Sequence, residues 1–125
     1  MLNGKPVLVI EEEFLIALDI QRLLEGLGAG QVICARSARE AHAMHMHWTD
    51  VQLAIVEVAL DQQSALQLVR RLLDSGIAVV ICSADTALRR GVPEFPALPV
   101  LIKPMAETDL VAAINNVLEL DYQNE

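Results

Sequence analysis

The run Val7-Leu8-Val9-Ile10-Glu11-Glu12 is a short apolar stretch that stops on two acidic residues. Two further runs have the same form, because residues 53–56 stop on Glu57 and residues 100–102 stop on Lys103. Short apolar runs bounded by polar residues are typical of buried strands in a parallel sheet. Since parallel strands end at a common edge, the pattern predicts that three carboxylates and one ammonium converge on a single site.

Strand-like runs alternate with helix-period runs along the chain, which is typical of βαβ units and a parallel α/β sheet. We predict strands at residues 6–10, 31–35, 53–58, 78–82 and 100–102, and a last helix from Glu107 to about Leu120. Prolines at 93, 96 and 99 predict that the helix before the fifth strand is short or missing. We therefore expect one domain over residues 1–125, with its core at about 6–120.

Composition excludes several classes of function. The formal net charge of −8 argues against a nucleic-acid partner, since phosphate binding needs a basic surface. The apolar runs are too short to span a membrane and the N-terminus lacks a secretory signal, so we expect a cytoplasmic protein.

Smaller patterns have structural interpretations. Cys34 and Cys82 lie in apolar runs and are expected to be buried free thiols. The three histidines, His42, His45 and His47, are expected to form a solvated helix end rather than a metal site. Met44, Met46 and Met105 are expected to fill gaps in the core.

The polar residues at the predicted strand ends indicate a particular chemistry. Glu11, Glu12 and Glu57 supply carboxylates, Ser83 supplies a hydroxyl group, and Lys103 supplies an ammonium group. Clustered carboxylates are the ligands that Mg²⁺ prefers, and a nearby lysine can hold a phosphoryl oxygen.

On these residues the chain resembles the receiver domain of two-component response regulators, from Val7 to about Leu118. The resemblance is carried by residues 9–13, 54–58, 81–84 and 101–104. It implies a flavodoxin-like (βα)₅ doubly wound sheet with strand order 2-1-3-4-5. It also implies a role in bacterial phosphorelay signalling, with a histidine kinase or another signalling protein as partner, and no enzymatic activity of its own.

The resemblance also assigns roles by position. Glu11 and Glu12 stand at the Mg²⁺-binding acidic pair, with Glu57 as a further metal ligand. Glu57 stands at the phosphoacceptor position, where the family has Asp, and Ser83 and Lys103 stand at the positions that contact the phosphoryl group. Whether Mg²⁺ still binds is open at this point.

The glutamate at the acceptor position departs from the family pattern in a way that affects chemistry. Its carboxylate lies one methylene farther from the backbone, and a misplacement of about 1 Å can cost roughly a hundredfold in rate. Three carboxylates against one lysine also leave negative charge uncompensated. The simplest neutralising contact is an ion pair between Glu57 and Lys103, which would imitate an activated receiver.

Three functions follow, in order of preference. The first is an atypical receiver, or pseudo-receiver, that acts as a phosphorylation-independent interaction module through its first and last helices and the edge of the fifth strand. The second is a working receiver that binds Mg²⁺ and accepts a phosphoryl group. The third is a small enzyme or cofactor-binding protein. It is the least favoured of the three because the sequence shows no nucleophile beside a base. The sequence leaves open whether the chain forms a homodimer.

Overall fold

The computed structural model describes residues 2–59 and 63–123, and they form an α/β sandwich around one parallel sheet. The five strands are β1 (Val7–Ile10), β2 (Val32–Ala35), β3 (Leu53–Glu57), β4 (Ala78–Ser83) and β5 (Val100–Ile102). They are ordered β2-β1-β3-β4-β5, and each neighbouring pair is parallel. The predicted flavodoxin-like sheet and its strand order are therefore confirmed.

Four α-helices lie in this part of the chain: α1 (Phe14–Gly26), α2 (Ala38–Ala43), α3 (Gln63–Asp74) and α4 (Glu107–Gln123). The connection from β4 to β5 holds only a 3₁₀ turn, Thr86–Leu88, so the predicted short helix is confirmed. The Asp85 carboxylate begins this turn by accepting a hydrogen bond from the Ala87 N–H at 2.9 Å. The prolines that follow cannot donate backbone hydrogen bonds, which prevents the turn from continuing as a helix.

Strand and helix ends differ from the prediction by a few residues. Ser83 belongs to β4, whereas Val58 lies beyond the end of β3. Helix α4 continues past the predicted end at Leu120 to Gln123. The sequence also predicts a polar loop at residues 61–63; residues 61 and 62 lie outside the described residues, and residue 63 begins α3.

Apart from Glu57 and Ser83 at the ends of β3 and β4, the strands are apolar, because helices cover both faces of the sheet. Alternate residues of β1 show this division: Leu8 and Ile10 join the core under α2 and α3, whereas Val7 and Val9 join the core under α1 and α4. Helix α2 is capped by Ser37, whose hydroxyl accepts a hydrogen bond from the Glu40 N–H at 3.1 Å. None of the helices described is long and apolar enough to cross a membrane.

The N-terminal segment is fastened to the turn between α1 and β2. The buried Leu2 donates its N–H to the Leu27 carbonyl at 3.0 Å, and the Gly30 N–H bonds the Lys5 carbonyl at 3.0 Å. A side chain on Gly30 would overlap the carbonyl group of Gly4. Glycine at position 30 is therefore required by close approach of two backbone segments.

The connection between β4 and β5 is fastened to α3. Phe95 is buried, and its N–H donates to the Val92 carbonyl at 2.9 Å. The Arg70 guanidinium lies over the Phe95 ring, 5.0 Å from its centroid. A cation over an aromatic ring is held by the ring quadrupole, so this contact joins the connection to α3.

Two of the smaller predictions were wrong. Cys34 is exposed, because β2 is an edge strand with a neighbour on one side only. Met46 is 84% exposed in the 3₁₀ turn after α2, whereas Met44 and Met105 pack against the core as predicted.

The predicted burial of Cys82 and the predicted exposure of the end of the second helix are confirmed, the latter for His45 and His47 but not for His42. Cys82 is buried, and burial raises the pKa of its thiol to about 12. His45 and His47 are exposed. His42 is half-buried and hydrogen-bonded through Nδ1 to the Arg71 guanidinium at 3.0 Å.

Candidate functional site

Strand register brings two of the predicted acids together at the carboxyl edge of the sheet. Ile10 of β1 is the partner of Val56 of β3, so Glu11 and Glu57 follow paired positions on neighbouring strands. Neighbouring strands are about 4.8 Å apart, which places both side chains within reach of each other. Lys103 follows β5, which is separated from β3 by β4.

The Lys103 ammonium bridges these two acids. Its Nζ lies 2.5 Å from Glu11 Oε1 and 2.6 Å from Glu57 Oε2. The other Glu11 oxygen, Oε2, accepts a hydrogen bond from the Glu13 N–H at 3.0 Å. We call Glu11, Glu57 and Lys103 the lysine cluster.

The lysine cluster is shielded from water to different degrees. The Glu11 side chain is 2% exposed and the Lys103 side chain 11%, whereas the Glu57 side chain is 25% exposed. Two carboxylates and one ammonium leave one negative charge in this site when all three are ionised. Burial of unbalanced charge is costly, so the three groups strongly affect one another's protonation.

The two carboxyl groups respond in opposite directions. Burial raises the pKa of Glu57, and the adjacent Glu11 carboxyl raises it further, while Lys103 offsets only part of this effect. Burial alone would also raise the pKa of Glu11, but hydrogen bonds with Glu57, Lys103 and the Glu13 N–H hold it below its ordinary value. Glu11 is therefore the firmer anion of the pair.

Lys103 is held in its charged form. Burial would lower the pKa of its ammonium, but hydrogen bonds to the Glu11 and Glu57 carboxylates raise it above its ordinary value. Its backbone N–H donates to the Ser83 carbonyl at 2.8 Å, which fixes the base of the side chain.

Ser83 lies beside the lysine cluster but makes a different contact. Its side chain is fully buried, and its Oγ accepts a hydrogen bond from the Asp85 N–H at 3.0 Å. The hydroxyl thus stabilises the turn that leaves β4. Its predicted contact with a phosphoryl group stays a prediction.

Glu12 lies beside the lysine cluster on the β2 side of the edge. It is exposed and lines a cavity of about 420 Å³ together with Glu57, Arg36 and Arg39. Three of the five predicted site residues therefore come into direct contact, Ser83 lies next to them, and Glu12 shares a cavity with Glu57.

As arranged, the carboxylate oxygens do not fit a divalent cation. Both Glu11 oxygens already have partners, and the nearest Glu57 oxygen is bound to the same ammonium. Across residues 2–59 and 63–123, no group of three or more His, Cys, Asp or Glu side chains is placed to hold a metal ion. The metal role assigned to Glu11, Glu12 and Glu57 stays a prediction.

A groove of about 730 Å³ opens beside Lys103. It runs between α1 and the start of α4, and its walls are mostly apolar, with Ile20 and Leu23 on one side and Met105 on the other. Lys103 is one of the residues that line this groove, so the groove borders the lysine cluster.

The contact between Glu11 and Lys103 was missed by sequence reasoning, which paired Lys103 with Glu57 alone. The burial of Glu11, although not its partner, has a sequence signal, because Glu11 directly follows four apolar residues without an intervening turn residue. A residue directly after a buried strand stays close to the core. The Glu13 N–H, which holds the second Glu11 oxygen, has no sequence signal.

Solved structures similar to this chain include several response regulators. A response regulator from Thermotoga maritima has 24% sequence identity and a TM-score of 0.74, over 92% of this chain and 98% of that one. A response regulator receiver protein from Sinorhizobium medicae WSM419 has 21% identity and a TM-score of 0.74, over 97% and 99% of the two chains. The chain has the receiver-domain fold.

A third similar structure is longer than this chain. The response regulator PhyR from Brucella abortus has 26% identity and a TM-score of 0.77, over 96% of this chain but 50% of its own. No family model and no curated protein matches the sequence. Within the receiver fold, Glu57 ends β3 and Lys103 follows β5, as the resemblance implied.

Proposed function

We propose that this chain is an atypical receiver in bacterial two-component signalling, and that it acts as a phosphorylation-independent interaction module. The observation that carries the proposal is the 2.6 Å ion pair between Lys103 Nζ and Glu57 Oε2. In the family that the chain resembles, this lysine contacts a phosphoryl group on the acceptor. Here the lysine already contacts an anion supplied by the chain itself.

Charge supports the comparison with an activated receiver only in part. The Glu57 carboxylate carries a charge of about −1, whereas a phosphoryl group carries roughly −1.5 to −2 at neutral pH. The second carboxylate on the ammonium, from Glu11, raises the total anionic charge around Lys103 to a comparable level. The Lys103 ammonium is thus held by two carboxylates of the chain without any phosphorylation.

The same contacts work against phosphoryl transfer to Glu57. Transfer depends on placing the attacking oxygen in line with the leaving group. One Glu57 oxygen is bound to Lys103, and the Glu57 carboxylate projects one methylene farther from the backbone than an aspartate carboxylate would.

The groove beside Lys103 is the proposed contact surface for a partner, which is a histidine kinase or another signalling protein. Its walls come mainly from the first and last helices, where we predicted the contact surface, and Lys103 is one of its lining residues. Phe14 and Leu15, at the start of α1, are 74% and 72% exposed and directly precede Ile16, which lines the groove. Exposed apolar side chains next to an apolar groove favour a protein partner.

The proposal includes a cytoplasmic location, no enzymatic activity and no nucleic-acid partner. A homodimer through the same groove is an alternative occupant. Sedimentation velocity over a range of protein concentrations distinguishes a homodimer from a monomer that awaits another protein.

The experiment that tests the proposal is treatment of the purified protein with a small phosphodonor and Mg²⁺, followed by intact-mass and peptide mass spectrometry. We expect no phosphoryl adduct on the wild-type chain. Glu57→Asp is the matched comparison, because it restores the acceptor of the family with the shorter side chain. Glu57→Gln controls for labelling elsewhere, and an adduct on Glu57 of the wild-type protein would contradict the proposal.

A further inference from the structure

We infer that the Lys103 ammonium takes the place of a divalent metal ion in the carboxylate site, as a permanent counter-ion of Glu11 and Glu57. The proposed function concerns phosphoryl transfer to Glu57. This inference concerns the cation at the site, and it stands or fails independently of that transfer.

The first argument is the position of the ammonium nitrogen. Lys103 Nζ contacts one oxygen from each carboxylate, at 2.5 and 2.6 Å. A cation that bridged the same two oxygens would have to occupy the same space between them. The ammonium and a metal ion therefore exclude each other sterically, and their like charges repel.

The second argument is that the other oxygen of Glu11 is already engaged and that Glu12 lies outside the ion pairs of Lys103. The second Glu11 oxygen accepts the Glu13 N–H, which holds the carboxylate in the orientation that faces Lys103. Glu12, the other acid of the predicted pair, is exposed and lines the cavity with Arg36 and Arg39. Mg²⁺ demands near-octahedral oxygen coordination and gives up water reluctantly, so two preoccupied carboxylates are a poor site for it.

The third argument is that the ammonium is attached to the fold. The Lys103 N–H donates to the Ser83 carbonyl at 2.8 Å, and only 11% of the side chain is exposed. A tethered group competes at a high effective concentration, which exceeds the concentration of a free ion in solution. Displacing it would break two ion pairs in a largely buried site, which is unfavourable.

The test compares metal binding by the wild-type chain and by Lys103→Met, with the paramagnetic resonance signal of free Mn²⁺ as the readout. We expect the wild type to show no saturable binding in the low millimolar range of Mn²⁺. Lys103→Met leaves the two carboxylates without a counter-ion and should bind Mn²⁺ at least about tenfold more tightly. The melting temperature of Lys103→Met should also rise with Mn²⁺, whereas that of the wild type should not.

Three further variants make the test specific. Lys103→Arg keeps a cation and should behave as the wild type. Lys103→Met with Glu57→Gln removes one carboxylate and should lose the gain in Mn²⁺ binding. Lys103→Gln, which keeps a polar side chain without charge, provides a second background if Lys103→Met does not fold.

Two results would overturn the inference. One is saturable, submillimolar Mn²⁺ or Mg²⁺ binding by the wild type that Glu11→Gln abolishes. The other is a folded, uncharged Lys103 variant that binds Mn²⁺ no more tightly than the wild type does. A phosphoryl adduct on Glu57 would contradict the proposed function and leave this inference untouched if wild-type metal binding stays absent.

Discussion

Replacing Lys103 with methionine should destabilise the fold far more than neutralising Glu57 does. Removing one partner of a buried ion pair typically costs about 3–5 kcal/mol, because the other charge is left without compensation. In Lys103→Met that charge is Glu11, whose side chain is 2% exposed. We expect the free energy of unfolding to fall by about 3 kcal/mol, the lower end of this range, since Glu57 is 25% exposed and still reaches water.

Glu57→Gln provides the contrasting case. It leaves the ammonium paired with Glu11 and removes the second carboxylate, whose raised pKa shows that its charged form is disfavoured there. The expected change in the free energy of unfolding is within about 1 kcal/mol of zero. Combining Lys103→Met with Glu11→Gln should recover about 1–3 kcal/mol, because the uncompensated buried carboxylate is gone.

Urea unfolding at neutral pH measures these differences, and Trp48 supplies the signal. It is the only tryptophan of the chain and is 5% exposed, so its fluorescence should change when the core opens. The reasoning is refuted if Lys103→Met lies within about 1 kcal/mol of the wild type, or if Glu57→Gln costs as much as Lys103→Met.

The difference in stability between the wild type and Lys103→Met should also depend on pH. The pKa of Glu11 is lowered in the folded state, so its contribution to stability is present above its unfolded value of 4.5 and is lost as pH falls. Lys103→Met lacks the ammonium that contributes to this shift. The stability gap between the wild type and Lys103→Met should therefore narrow as pH falls below 4.5.

Three other perturbations test the fold around the site. Burial raises the pKa of Cys82 from 9.0 to about 12, so the contribution of its neutral thiol to stability is present below pH 9 and is lost as pH rises above 9. Relative to Cys82→Ala, the free energy of unfolding of the wild type should fall by about 1.4 kcal/mol between pH 8 and 10, as measured by urea unfolding. Gly30→Ala should cost more than about 2 kcal/mol because its methyl group overlaps the Gly4 carbonyl, whereas Gly26→Ala in open space should be neutral or stabilising; equal melting temperatures would contradict this. Ser37→Ala should cost about 1 kcal/mol through loss of the α2 cap, as measured by thermal unfolding.

Much of the fold was predictable because strand ends and helix breaks depend on local sequence. Apolar runs that stop on polar residues located all five strands to within a residue at most ends. The prolines at 93, 96 and 99 were sufficient to predict the short turn before β5, since proline removes a backbone donor wherever it stands. The strand order came from the resemblance, because periodicity alone does not determine which strands are neighbours.

The site was predictable only where one residue implied its partner. The pairing of Glu57 with Lys103 followed from charge balance, and the structure confirms it at 2.6 Å. The pairing of Glu11 with Lys103 depends on register and on side-chain reach across β3 and β4, which the sequence does not contain. Cys34 was assigned to the core on composition, although exposure of a strand residue depends on whether its strand lies at an edge.

The contact of Arg70 with Phe95 links the stretch between β4 and β5 to α3. A cation–π contact at an exposed site contributes about 0.5–1 kcal/mol. A rearrangement of this stretch that displaced the Phe95 ring would have to supply that free energy, so its position is coupled to that of α3.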